Sequence, residues 1–106
     1  MPDLIDRFLT VVERYAARIE VELEQDPPVV VAYAESGLAF AAAWTSDEGL
    51  VVRIRLDAQV PPASLLEHVE GGSLTYEARI NNVDELQALD DTLRRSEQLA
   101  ERRFRN

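Results

Sequence analysis

The stretch from Val29 to Asp57 confines the chain more than any other part of its 106 residues. It holds three apolar segments, VVVAYAE (29–35), LAFAAAWT (38–45) and LVVRIRLD (50–57), separated by Ser36-Gly37 and by Ser46-Asp47-Glu48-Gly49. Segments of this length suit strands, and connections this short turn a strand back beside its predecessor. The stretch is therefore expected to form an antiparallel meander, which any fold of this chain must accommodate.

A two-residue turn at Ser36-Gly37 sets Tyr33 opposite Phe40, Val31 opposite Ala42 and Val29 opposite Trp44. In that register the large residues share one face, while Val30, Ala32, Ala34, Ala39, Ala41 and Ala43 share the other. A three-residue loop closed by a left-handed Gly49 aligns Leu50, Val52 and Ile54 with Phe40 and Trp44. A four-residue loop would invert that pairing and place Arg53 and Arg55 beside the aromatics; the glycine position favours the first. The core is then expected on the Phe40 and Trp44 side. Alanine is a poor strand former, so the alanine face calls for a covering surface. With Val51 it makes an apolar patch of small side chains, with Arg53 and Arg55 at its rim, the form expected of a protein interface. One of the chain's own helices could equally cover it.

The flanking segments read as follows. Residues 3 to about 23 carry a helical stripe of Ile5, Phe8, Val12, Ala16, Ile19 and Leu23, with Asp3 as N-cap. IEVELE (19–24) also alternates with period two and competes as a strand, but no breaker precedes Ile19, so helix is preferred. Asp26-Pro27-Pro28 ends it. Pro61-Pro62 and ASLLEHVE suggest a short helix stopped by Gly71-Gly72. SLTYEARI (73–80) alternates as a fourth strand, with Leu74, Tyr76, Ala78 and Ile80 inward. Asn82 and Glu85 resemble a capping box, after which Leu86, Leu89, Leu93, Ser96, Ala100 and Phe104 follow at helical spacing. The expected fold is one α+β domain over residues 1–106. It has two layers: an antiparallel sheet of about four strands, flanked by a long N-terminal and a long C-terminal helix, in the order α-β-β-β-short α-β-α.

Composition narrows the function classes. The formal net charge is −9, from 20 acidic and 11 basic residues, and every basic residue is arginine. That field disfavours a nucleic-acid partner. No apolar run is long enough to span a membrane, MPDLIDRFLT lacks the features of a signal peptide, and a cytoplasmic protein is expected. Without cysteine there is no disulfide or thiolate chemistry. His68, with Glu67 and Glu70 nearby, sets no metal geometry and reads as a surface histidine. Ser36, Ser46, Ser64, Ser73 and Ser96 read as turn, cap and helix residues, outside any nucleophile motif. Glu20, Glu22, Glu24 and Asp26 read as a solvated acidic run, and the terminal RRFR (102–105) as a helix end suited to the dipole. No cofactor and no metal are expected.

The element order is similar to that of the type III secretion chaperone class, in which a helix, a three-stranded segment, a short helix, further strands and a final helix build a dimer that holds partner polypeptides. The similarity lies in element order across most of the chain, with one strand after the short helix where that class has two. It implies a non-enzymatic, homodimeric, chaperone-like or regulatory module that binds another protein or peptide through the alanine face or a helix face. The alternative is a small-ligand-binding protein or minor enzyme, with a pocket between helices and sheet lined by Tyr33, Trp44, Tyr76 and His68.

Overall fold

The computed structural model describes residues 4–24, 27–47, 49–55, 66–69 and 74–105, without the side chains of 66–68 and 102–105. The element order is α1 (Leu4–Val12), β1 (Arg18–Glu22), β2 (Val29–Tyr33), β3 (Ala39–Ser46), β4 (Gly49–Ile54), β5 (Leu66–His68), β6 (Tyr76–Ile80), α2 (Val83–Ala88) and α3 (Asp90–Arg105). The strands form one antiparallel sheet in the order β1-β2-β3-β4-β6-β5. The α+β class and the antiparallel sheet are as expected. The strand count differs: five strands have five residues or more, and β5 adds a sixth of three.

The first departure lies at the N-terminus. The helix ends at Val12, and Glu13 to Ala16 unwind through turn-type hydrogen bonds onto Leu9, Val11 and Val12. Arg18 to Glu22 then pair with β2, Ile19 opposite Ala32 and Val21 opposite Val30. The period-two reading of IEVELE is the correct one. A helix continued to Leu23 would have placed Glu20 and Glu22 at its negative C-terminal end. As a strand, the segment keeps its glutamates on one side and its β-branched residues on the other.

The second departure is a bulge. Val30, Val31 and Ala32 pair with Ala43, Ala42 and Ala41, but Tyr33 pairs with Ala39, leaving Phe40 as an extra residue. The Val31–Ala42 register is the expected one; the Tyr33–Phe40 pair is replaced. An extra residue reverses the side on which the strand's side chains fall, so Phe40 and Trp44 occupy opposite faces despite their even spacing. Phe40 goes to the helix side and is fully buried. At the next turn Ser46 pairs with Gly49, which sets Thr45 opposite Leu50 and Trp44 opposite Val51. The observed pairing thus puts Leu50, Val52 and Ile54 with the alanines and Phe40, and Arg53 beside Trp44. Gly49 has φ +113°, and a Cβ there would run into the Ile80 carbonyl on the neighbouring strand.

All three helices lie on the alanine face: α3 along β3, α1 against β3 and β4, α2 against α1 and β6. Ala32, Ala34, Ala41 and Ala43 are 2% exposed or less and join Phe8, Val12, Leu86, Leu89 and Leu93 in one core. Small side chains on the sheet let the helices settle close, and the helices supply the bulk. The alanine face is therefore intramolecular, and its assignment as an interface is corrected.

The C-terminal stripe is as expected: Leu86, Leu89, Leu93, Ser96 and Ala100 are all buried. It belongs to two helices that meet at Leu89, where the expectation was one. Asn82 caps α2 by accepting from the Glu85 N–H at 2.9 Å, while the Glu85 carboxylate accepts from the Asn81 N–H at 2.9 Å. Strand β6 covers Tyr76–Ile80 of the expected 73–80, with Ala78 and Ile80 inward and Arg79 exposed, while Leu74 and Thr75 lie before it. Leu66 to His68 form β5 rather than part of a short helix, because they pair with Ala78 to Tyr76. Expectations resting on Asp3, Asp26, Glu48, residues 56–65, Glu70 to Ser73, and the side chains of Glu67, His68 and RRFR lie outside the described residues and side chains.

Candidate functional site

With the helices on one side, the other side of the sheet is left open among the described residues. Strand alternation and the pairings above place Arg18, Glu20 and Glu22 there from β1, Val31 and Tyr33 from β2, and Ala42 and Trp44 from β3. Val51 and Arg53 come from β4, and Glu77 and Arg79 from β6. The residues contributed by these strands include three arginines and three glutamates.

Two stacked pairs organise the face. The Arg18 guanidinium carbon lies 4.4 Å from the Tyr33 ring centroid, and that of Arg53 lies 5.3 Å from the Trp44 centroid. Both are within cation–π range. Acids hold the arginines in place: Arg53 Nε is 3.0 Å from Glu77 Oε1, and Arg18 Nε is 3.5 Å from Glu20 Oε1. Burial, with the neighbouring Glu20 carboxylate as the next cause, pushes the Tyr33 hydroxyl above its ordinary pKa. Beneath these side chains Val31, Ala42 and Val51 are 6–8% exposed and form an apolar floor. A shallow depression of about 350 Å³ opens beside Trp44, lined also by Ser46, Asp47, Val51, Glu77 and Arg79.

The residues expected to form an interface are divided by the fold. Val30, Ala32, Ala34, Ala41 and Ala43 are in the core, whereas Val51 and Arg53 stand on the open face. Ala39 is half-buried, and its carbonyl accepts from Arg55 Nε at 2.9 Å. Arg55 is itself buried at 7% exposure, beyond the end of β4, so it forms no exposed rim. The alternative pocket is not assembled, because Tyr33 and Trp44 lie on the open face while Tyr76 packs against the helix-side core. Among the described residues, no three or more of His, Cys, Asp and Glu gather in a way that could hold a metal ion, and no helix is long and apolar enough to cross a membrane.

The serine hydroxyls in view act locally. Ser36 Oγ donates to the Ala100 carbonyl at 3.3 Å and Ser46 Oγ to the Gly49 carbonyl at 3.0 Å. Ser96 is fully buried on α3; its Oγ donates to the bulged Phe40 carbonyl at 2.6 Å and accepts from the Arg55 N–H at 3.1 Å. Sequence reasoning missed the stacked pairs for two reasons: the Ser46–Gly49 pairing set Arg53 on the side of Trp44, and the segment carrying Arg18 was read as helix. It also missed the exposed β1 edge, whose one signal was the period-two pattern of IEVELE. No family model, curated protein or solved structure matches this chain.

Proposed function

We propose that the protein is a non-enzymatic interaction module that works as a homodimer and holds another polypeptide against the open face of its sheet. One observation carries the reading: Trp44 and Tyr33, each under an arginine, flank a floor of Val31, Ala42 and Val51. Tryptophan, tyrosine and arginine are the side chains that concentrate binding energy at protein interfaces. Arg18 and Arg53 are each paired with a glutamate on this face, which lowers the cost of desolvating them when a polypeptide docks. With the alanines internal, this face takes over the contact first assigned to them.

A chemically unfolded, alkylated polypeptide serves as the probe, with Trp44 fluorescence as the readout; Trp44 is the chain's single tryptophan. The expected result is a blue shift and protection from quencher on adding the probe. Arg53→Ala should bind at least about ten-fold more weakly, by loss of the guanidinium over the indole. An unchanged Trp44 spectrum at saturating probe, with no probe retained by the immobilised protein, sinks the proposal.

A further inference from the structure

Strand β1 closes one side of the sheet, pairing with β2 and, among the described residues, with no other strand. An edge strand offers backbone N–H and C=O groups to any strand laid beside it. The exposed large apolar residues of the described chain stand here: Val21, 50% exposed, and Leu23, 76% exposed. Val21 lies opposite Val30 and Ile19 opposite Ala32, so both carry the apolar helix-side layer out to the edge. Arg18, Glu20 and Glu22 occupy the other side of the same strand.

We infer that β1 pairs antiparallel with β1 of a second copy, centred on Glu20, joining the two sheets into one. This rests on the homodimeric reading above and names its surface. A two-fold axis normal to the sheet keeps both helix layers on one side. Residues that face each other across strands share a side, so this axis must pass through a residue. Three centres are open to the strand. Centring on Ile19 overlaps only Arg18 to Glu20 and leaves Val21 unpaired. Centring on Val21 sets Glu20 against Glu22 of the second copy twice, which is repulsive. Centring on Glu20 pairs all of Arg18 to Glu22. It sets Ile19 against Val21 and Arg18 against Glu22 of the second copy, each twice. The one unfavourable contact is Glu20 against its own mate. Each copy carries −9, which opposes approach at long range, and the two arginine–glutamate pairs supply complementary charge at the contact itself.

The register has a charge-swap test, read by sedimentation equilibrium of the full chain over a concentration series. The wild type should show a monomer–dimer equilibrium. Arg18→Glu and Glu22→Arg, each alone, set like charges opposite one another twice and should weaken the dimer about ten- to thirty-fold. An equimolar mixture of the two variants sets glutamate against arginine at both positions, and should restore dimerisation to near the wild-type level as a heterodimer. Arg18→Glu also removes the stack on Tyr33, so circular dichroism accompanies it, and Glu22→Arg, which touches no such stack, gives the same readout independently. A wild type that is monomeric throughout, single variants that dimerise like the wild type, or a mixture that stays monomeric would each overturn the pairing. None of these results bears on polypeptide capture at Trp44, which is read separately by fluorescence. A protein that dimerises as described but captures nothing would sink that reading and leave the edge pairing intact.

Discussion

The two faces of β3 reverse the usual relation between size and burial. On the helix side Ala41 and Ala43 are fully buried, and on the open side Trp44 is only partly covered. The difference follows from what packs on each. Helices bring their own bulk, in Phe8, Leu86, Leu89 and Leu93, so the sheet beneath them must be thin. Among the described residues no second layer packs on the open face, and Tyr33 and Trp44 and the arginines stacked on them screen Val31, Ala42 and Val51 from water. An alanine row in a strand can mark a core that is filled from the other side.

The sharpest way to break this comparison is to exchange the demands on the two faces. Ala41→Glu places a carboxylate where there is neither space nor water, and should cost about 4 kcal/mol or more. Trp44→Ala removes a far larger side chain and should cost only about 1 kcal/mol, because the site is open. Urea unfolding of both variants decides it. If Trp44→Ala proved the more damaging, the assignment of core and surface would be reversed. A monomeric, fully stable Ala41→Glu protein would return the alanines to an intermolecular role.

Next in size is Gly49→Ala, since the turn that sets Trp44 opposite Val51 depends on this residue. Its φ of +113° suits glycine, and Asn81 Oδ1 would lie 2.8 Å from an added Cβ, with the Ile80 carbonyl also in the way. About 2 kcal/mol should be lost. A loss no greater than that of an exposed alanine substitution would mean that the turn can relax without cost.

Ser96→Ala probes the bulge that separates Phe40 from Trp44. Removing the hydroxyl takes one partner each from the Phe40 carbonyl and the Arg55 N–H, which still bond each other at 3.1 Å. That residual bond limits the expected loss to about 1.5 kcal/mol. If the bulge reverted to regular pairing, Phe40 would turn toward the open face, and Phe40 would become reachable by solvent in hydrogen-exchange and near-UV measurements.

What could be read from the chain beforehand follows the same division. The Val31–Ala42 register, the inward set of Leu50, Val52 and Ile54, and the stripe from Leu86 to Ala100 were all legible, because each is a local period. The bulge was not legible. No glycine or proline marks it, and the group that stabilises it, Ser96, lies 56 residues from Phe40 in the chain. The bulge turned Phe40 to the helix side, and the Ser46–Gly49 pairing set Arg53 on the side of Trp44, so the open face and its Trp44–Arg53 stack were assigned to the wrong side. Strand β1 failed for another reason. IEVELE satisfies both periods, and the tie was broken by pairing with β2, which the segment itself does not encode. The exposed edge at Val21 and Leu23 was hidden along with it.

The smallest effect concerns charge beside the helix-covered face. Glu97 on α3 is half-buried, and burial, with Glu101 and Glu35 nearby, pushes its carboxyl above the usual range. A raised pKa means that the folded state binds the proton more tightly than the unfolded state. The associated stability is therefore present below the ordinary glutamate value and is lost as pH rises through the raised one. Glu97→Gln imitates the protonated form at every pH. It should match the wild type at low pH, near about 4 and below, and become the more stable protein as pH climbs through the raised value. Thermal unfolding of both proteins across this range reads the divergence. A gap that opened in the opposite direction would place Glu97 in a site that favours its charge, and the helix layer would then not be the drier side of the sheet at that position.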